Sequence, residues 1–205
     1  MSIPVDLRIA FLRERIEAAT PPAQAWSWTW GTVNGALAAG QLAAIPFVKS
    51  EADRTLFAAG AIISGLGVIQ VAALPLVPAA VPPAGGGCDE LARLEASMTR
   101  AARNAAFGSG TMAQIGNVAI NAAFGISAGA IGHSWQTGLL TFAFGWAIGE
   151  AQILTVPKGI IRDLERYRGG DLDRGGVRDD RARFTPRVAV ALTGRTASLS
   201  IGVTF

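Results

Sequence analysis

NAAFGSGTMAQIGNVAINAAFGISAGAIGHSWQTGLLTFAFGWAIG, from Asn104 to Gly149, contains no Asp, Glu, Lys or Arg, and His133 near its middle is its one titratable group. An apolar helix crosses the hydrocarbon core of a bilayer in about 20 residues. The stretch is too long for one crossing and suits two, joined by a tight turn at Gly132-His133-Ser134. The other hydrophobic segments then have to pack against this helical pair.

Composition agrees with a membrane chain. Half of the 205 residues are apolar, 16% are charged, and mean hydropathy is positive. Gly and Ala are abundant and aromatics few, as in helices that approach closely in lipid through small side chains. The pI near 9.7 reflects Arg flanking hydrophobic runs, which reads as an orientation signal and not as a nucleic-acid footprint. Cys88 stands alone, so no intramolecular disulfide and no Cys/His metal cluster is expected. Asp6, Arg8, Arg13, Glu14 and Arg15 interrupt any early apolar core, so no ordinary cleavable signal peptide is expected.

Outward from the central stretch, residues 1–22 read as an amphipathic interfacial helix. Val5, Ile9, Leu12, Ile16 and Ala19 share one face, and Thr20-Pro21-Pro22 acts as a stop. A four-helix transmembrane bundle then occupies 23–168, with spans at about 23–48, 55–81, 104–131 and 135–157. Trp26, Trp28 and Trp30 crowd the start of the first span as interface anchors, with a tryptophan cage for a ligand as the alternative. Pro75, Pro78, Pro82 and Pro83 kink or end the second span. Cys88–Arg103 is a polar helical lead-in running directly into the third, and Lys158–Tyr167 an amphipathic exit helix after the fourth. Residues 169–183, with two Gly-Gly pairs amid Asp and Arg, read as a flexible linker. In 184–205 the period changes to two, from Val188 to Leu192 and from Ala197 to Phe205, around Thr193-Gly194-Arg195-Thr196, which reads as a β-hairpin tail. The expectation is an all-α integral membrane protein with four transmembrane helices, an N-terminal amphipathic helix and a small C-terminal β-hairpin.

All but Lys49 and Arg54 of the 18 Lys and Arg fall in the two terminal segments or in the connection between spans two and three. By the positive-inside rule both ends are cytoplasmic and the membrane is an inner one. The last strand, apolar at every second residue and ending on Phe205, resembles the C-terminal signal of bacterial outer-membrane β-barrel proteins. That resemblance implies an outer-membrane or multi-chain β assembly. Two strands cannot close a barrel, however, and an open hairpin in lipid leaves backbone groups unpaired. A hairpin docked on the helices or on a neighbour's hairpin is the default.

Each span carries small and amide residues at helical spacing, giving a polar seam of Asn34, Gln41, Gln70, Gln114, Asn117, Asn121, Glu150 and Gln152. Small residues four apart, Gly31/Gly35, Gly125/Gly129 and Gly145/Gly149, let backbones approach. Amides need partners away from water, so the stripes are expected to face one another. They form either a hydrogen-bonded helix interface or the lining of a path for a solute, ion or proton. Glu150, an ionisable group inside the last span, argues for the path; snorkelling or a bond to Gln152 or Trp146 is its structural alternative. His133 sits in a turn, as a surface histidine does. No HExxH, GxSxG, DxD, P-loop or dinucleotide fingerprint is present, so no catalytic residue, metal or cofactor is expected and an enzyme is disfavoured. The expected partners are the lipid bilayer and a second copy of the chain. The expected function is a structural or interaction protein forming helix–helix assemblies, with a small transporter or channel component as the alternative.

Overall fold

In a computed structural model the chain divides into two units, 1–172 and 173–205. The structure describes residues 3–80 and 87–172, with the backbone of 185–193 and 196–204. The regular elements described in unit 1 are all helices. Its order is α1 (Val5–Ala44), a 3-10 turn (Ile45–Phe47), α2 (Glu51–Ala73), α3 (Cys88–Gly108), α4 (Thr111–Ile131), α5 (Trp135–Leu154) and α6 (Gly159–Arg168). In unit 2, β1 (Thr185–Thr193) and β2 (Thr196–Thr204) pair antiparallel, with Thr185 opposite Thr204 and Thr193 opposite Thr196. The linker reading over 173–183, the turn at Gly194-Arg195 and Phe205 lie outside the described residues.

Three boundaries differ from expectation. The interfacial helix and first span are one helix: α1 runs for 40 residues through Pro21 and Pro22, about 60 Å at 1.5 Å per residue. Each interior proline removes a hydrogen bond and costs about 3 kcal/mol. Here both prolines, and Glu17 and Ala18 whose carbonyls lose their donors, are exposed, so water can satisfy them. Ile16 before the pair and Ala23 and Trp26 after it are buried in one core, and that packing holds the axis together. The lead-in and third span, by contrast, are two helices. Gly108-Ser109-Gly110 separates α3 from α4, and the Ser109 hydroxyl donates to Ala105 O (2.8 Å) as α3 ends. The second span is also shorter than expected. α2 stops at Ala73 because Leu74 precedes Pro75 and takes a non-helical conformation (φ −115°, ψ 70°).

The first unit has two unlike layers. The N-terminal half of α1 packs with α3 and α6 around Ile9, Leu12, Leu94, Met98, Ile160 and Leu164. Leu12, Leu94 and Met98 are almost completely enclosed, each stabilising this layer by about 1.5–3 kcal/mol. Charged side chains pair around that core: Arg8 with Glu95, Arg13 with Glu90, and Arg15 with Asp163 at 4.0 Å. Tyr167 accepts from Arg8 Nε (2.8 Å) and donates to Glu95. Partial burial and the bond to Glu95 push the Tyr167 hydroxyl above its ordinary value, and the hydrogen bond to Tyr167 raises Arg8. Partial burial raises the Asp163 carboxyl, opposed by nearby Arg15. Ser97 Oγ donates to Ala79 O (2.8 Å) and Asn104 Nδ2 to Pro75 O (2.9 Å), strapping the end of the α2–α3 connection to α3.

The second layer is α2, α4, α5 and the C-terminal half of α1, and it is apolar outside as well as in. Phe47, Ile69, Met112, Ile126, Leu139 and Phe144 are all exposed. Two stretches, Glu51–Ala73 and Trp135–Arg168, are long and apolar enough to cross a membrane. Only 11% of the most apolar part of the first is buried, whereas the core helix of a water-soluble protein would be mostly enclosed. α4 has similar length and no charge, but Gln114, Asn117 and Asn121 lower its hydropathy, so on apolarity alone the expected four spans reduce to two.

Candidate functional site

The amides of the second layer sit opposite glycines. A Cβ at Gly60 would fall 2.7 Å from Gln41 Nε2, and one at Gly67 2.7 Å from Asn34 Oδ1. One at Gly145 would fall 1.9 Å from Asn121 Oδ1, and one at Gly149 2.0 Å from Asn117 Oδ1. Each amide therefore lies across the backbone of the neighbouring helix in a notch that only glycine leaves. The two stripes meet as complementary shapes, small residue against amide.

Several of these amides find partners. Asn121 Nδ2 donates to Asn117 O and Oδ1, both at 2.8 Å, and Asn117 Nδ2 donates to Trp146 O (3.1 Å). Asn34 Nδ2 donates to Gln152 Oε1 (3.2 Å), joining α1 to α5. Asn34, Asn121 and Gln152 are all buried. The bonds of Asn117 and Asn121 run to each other and to a carbonyl of α5, not to Asn34, Gln41, Gln70 or Glu150. Among buried side-chain atoms, Gln41 Oε1, Asn121 Oδ1 and Gln152 Nε2 have no hydrogen-bond partner.

These residues border a cavity of about 510 Å³ between the α1–α2 pair and the α4–α5 pair, in the size range of small-molecule pockets, roughly 300–1,000 Å³. α2 and α4 are close at the loop end, where a Cβ on Gly132 would lie 3.3 Å from Ala52 Cα. The cavity runs along α2 from Leu56 to Leu74, but along α4 only from Met112 to Asn121. Leu66, Ile69, Phe107, Met112, Ile120 and Phe144 of its lining are exposed. No Asp, Glu, Lys, Arg or His lines it. What it offers is hydrogen bonding on an apolar background, without an ionisable group.

No protein-family model, curated protein or solved structure matches the chain.

The seam expected from sequence is gathered in part. Asn34, Gln41, Gln70, Asn117, Asn121 and Gln152 line the cavity, Gln70 from an exposed position. Gln114 is exposed and does not line it, and Glu150 is half-buried and also outside it. Trp26 and Trp30 are corrected as interface anchors. Both are buried in the core shared by the two layers, where Trp26 Nε1 donates to Gln152 O (3.3 Å) and Trp30 Nε1 to Thr155 Oγ1 (2.9 Å). An indole buried by packing needs a partner for its N–H, and Thr155, absent from the sequence reading, supplies one. Trp28, on the other face of α1, is exposed. His133 is exposed in the α4–α5 turn at a positive φ of 48°. Among the described residues no group of three His, Cys, Asp or Glu is placed to hold a metal ion.

Proposed function

We propose that the chain is an integral membrane protein of four spans, the C-terminal half of α1 with α2, α4 and α5, and that it works by association within the bilayer. What supports the four spans is the exposed apolar surface of the second layer beside a first layer that carries charged side chains, several of them in ion pairs. α2, α4 and α5 have 23, 21 and 20 residues, each close to the ~30 Å of hydrocarbon at 1.5 Å per residue. The first layer, carrying most of the basic residues, then lies on the cytoplasmic face with both ends of the chain. Single-site labelling tests this. Exposed Cys88 in the native chain, and a cysteine at Lys49→Cys in a Cys88→Ser background, should react with an impermeant reagent from opposite sides of sealed vesicles. Labelling of both from one side would remove the four-span arrangement.

The association rests on one observation. Gly125, Gly129, Gly138, Gly145 and Gly149 are each covered by another helix, whereas Gly31 and Gly35 of α1 have no neighbour within 4 Å. Thr32, Ala36 and Ala39 beside them are exposed. Glycines four apart on an uncovered face allow close backbone approach by a second helix. We therefore read α1 as the surface on which two copies meet. The paired strands of unit 2, a two-stranded sheet in which both strands are edges, suit pairing with the same strands of a second copy. Gly35→Ile should shift the purified protein in detergent towards monomer by about tenfold in dissociation constant, about 1.4 kcal/mol. Gly65→Ile, at an equally open site on α2, should leave self-association unchanged. Equal effects from both would assign the contact elsewhere.

The cavity favours a second reading, a small transporter or channel component. That reading loses its ionisable group, because Glu150 does not line the cavity.

A further inference from the structure

We propose that the outer face of α3 holds the head group of an anionic phospholipid of the cytoplasmic leaflet, its phosphate clasped by Arg100 and Arg103. This rests on α2, α4 and α5 lying in the bilayer but not on self-association through α1.

The arginines of the first layer fall into two sets. Arg8, Arg13 and Arg15 of α1 are paired with Glu95, Glu90 and Asp163. Arg93, Arg100 and Arg103 of α3 are exposed, and among the described residues they make no ion pair or hydrogen bond. Their spacings of seven and three put them on one stripe of the helix, together with exposed Ala96 and Phe107. Asp89, also exposed, stands at the far end of that stripe, beyond Arg93.

Arg100 and Arg103 border a recess of about 430 Å³ with Thr99, Glu95 and the small side chains of Ala92 and Ala96. Residues three apart on a helix are neighbours, about 5–6 Å between Cβ atoms, so two guanidiniums can converge on one phosphate. Each planar fork can donate two parallel hydrogen bonds to its oxygens. Thr20, Thr141 and Thr155 donate their hydroxyls to the carbonyl four residues back, whereas Thr99 makes no such bond among the described residues. Its hydroxyl is left to donate to a head-group oxygen. The carboxylate in the recess, Glu95, is engaged by Arg8 and Tyr167, so it does not neutralise the two arginines.

Placement decides for a lipid. The C-terminal end of α3 is held where three spans reach the surface. Asn104, beside Arg103, donates to Pro75 O (2.9 Å), just past the end of α2. A Cβ on Gly108 would lie 3.8 Å from Val156, just past the end of α5, and α4 starts at Thr111. Along the helix Arg103 and Arg100 lie about 8 and 12 Å from Gly108 at 1.5 Å per residue. The head-group region is roughly 5–8 Å deep on each side of the hydrocarbon, and long arginine stems cover the difference. Phe107 and Met112, exposed beyond Arg103 towards α4, offer apolar surface to acyl chains, for which a soluble phosphate has no use. The orientation proposed above faces this site with the leaflet in which anionic lipids attract basic residues.

Native mass spectrometry of the full chain in detergent tests this, with phosphatidylglycerol and phosphatidylcholine of the same acyl chains as the probes. One phosphatidylglycerol should be retained at least about tenfold more tightly than phosphatidylcholine, because two basic side chains act on its net charge. Arg100→Gln with Arg103→Gln should abolish that preference and leave the lipid-free melting temperature unchanged, since neither side chain has a partner among the described residues. Arg100→Lys with Arg103→Lys should keep part of the preference, retaining charge without the guanidinium fork. Lys49→Gln, at the opposite end of the spans, should change nothing. Equal retention of the two lipids, or a preference undiminished in the double glutamine variant, would overturn the proposal. So would an equal loss from Lys49→Gln, which would mean diffuse attraction without a site. Displacement of the lipid by millimolar inorganic phosphate or by a short oligonucleotide would assign the arginines to a soluble ligand and overturn it as well. The vesicle labelling of Cys88 and Lys49→Cys separates these failures from a failure of the membrane arrangement.

Discussion

Gly138→Val should separate α4 from α5 and leave little folded protein, the largest effect expected of any single substitution in the second layer. α4 and α5 make the most extensive contact of any two helices in the chain, and they cross backbone to backbone. A Cβ at Gly138 would lie 2.5 Å from Gly125 O and 3.0 Å from Gly129 Cα. From the other side, a Cβ at Gly125 would lie 2.8 Å from Gly138 O. Backbone atoms cannot rotate away as a side chain can, so the helices themselves have to part. Overpacking of this kind costs about 1–3 kcal/mol, occasionally more. Here it would also break the amide bonds between Asn117, Asn121 and Trp146 O that depend on the close crossing. Gly145→Ala makes the comparison informative. Its nearest obstacle is Asn121 Oδ1 at 1.9 Å, the end of a side chain that can swing aside at the loss of its bonds to Asn117. That variant should fold with a lower melting temperature, and adding Asn121→Ala should recover part of the loss, a coupling expected of groups in contact. The measurement is thermal unfolding in detergent followed by size-exclusion chromatography. If Gly138→Val melts with the wild type, the helices do not cross where the structure places them.

The glycines of this crossing show how far the sequence could be read. Helical spacing put Gly125/Gly129 and Gly145/Gly149 on faces of close approach, and the absence of charge from Asn104 to Gly149 marked two helices with a turn at His133. Both statements use period and composition alone, which survive without knowledge of any neighbour. What spacing could not supply was pairing between helices: that Asn121 would meet Gly145, or that Asn34 would reach Gln152 through α5 and not through its sequence neighbours. Three further misreadings have the same origin. Pro21-Pro22 is a strong local stop, and it is overridden because Ile16 and Trp26 on either side are buried in one core. Gly108-Ser109-Gly110 is a weak local stop, and it prevails because α3 docks on α1 and α6 while α4 turns to α5. The tryptophan cluster carries no sign of which indoles face inward, and one turn of α1 separates buried Trp26 and Trp30 with exposed Trp28 between them. In each case tertiary packing, not local preference, decided the outcome.

Packing of that kind is also where the two layers should part company under mutation. Leu94→Ala should destabilise the protein by about 2–5 kcal/mol, the range for a large-to-small change at a fully enclosed site. Leu94 is 1% exposed, and it shares its cluster with Ile9, Leu12, Met98, Ile160 and Leu164 from three helices that close round it on all sides. Deleting its side chain leaves a cavity that the surrounding helices can collapse into only in part. Ile126→Ala removes an apolar side chain of the same size from a position 63% exposed on α4. In hydrocarbon that side chain gains little from its surroundings, since lipid tails are as apolar as the protein they replace, so the change should be nearly silent in detergent. Denaturation of the two variants under one set of conditions gives the contrast directly. A large loss at Ile126 with the oligomeric state unchanged would mean that α4 is enclosed by protein on its outer face, against the lipid exposure proposed for it. A silent Leu94→Ala would mean that α3 does not dock on α1 and α6, which removes the charged layer from the face of the bundle and with it the orientation drawn from its arginines.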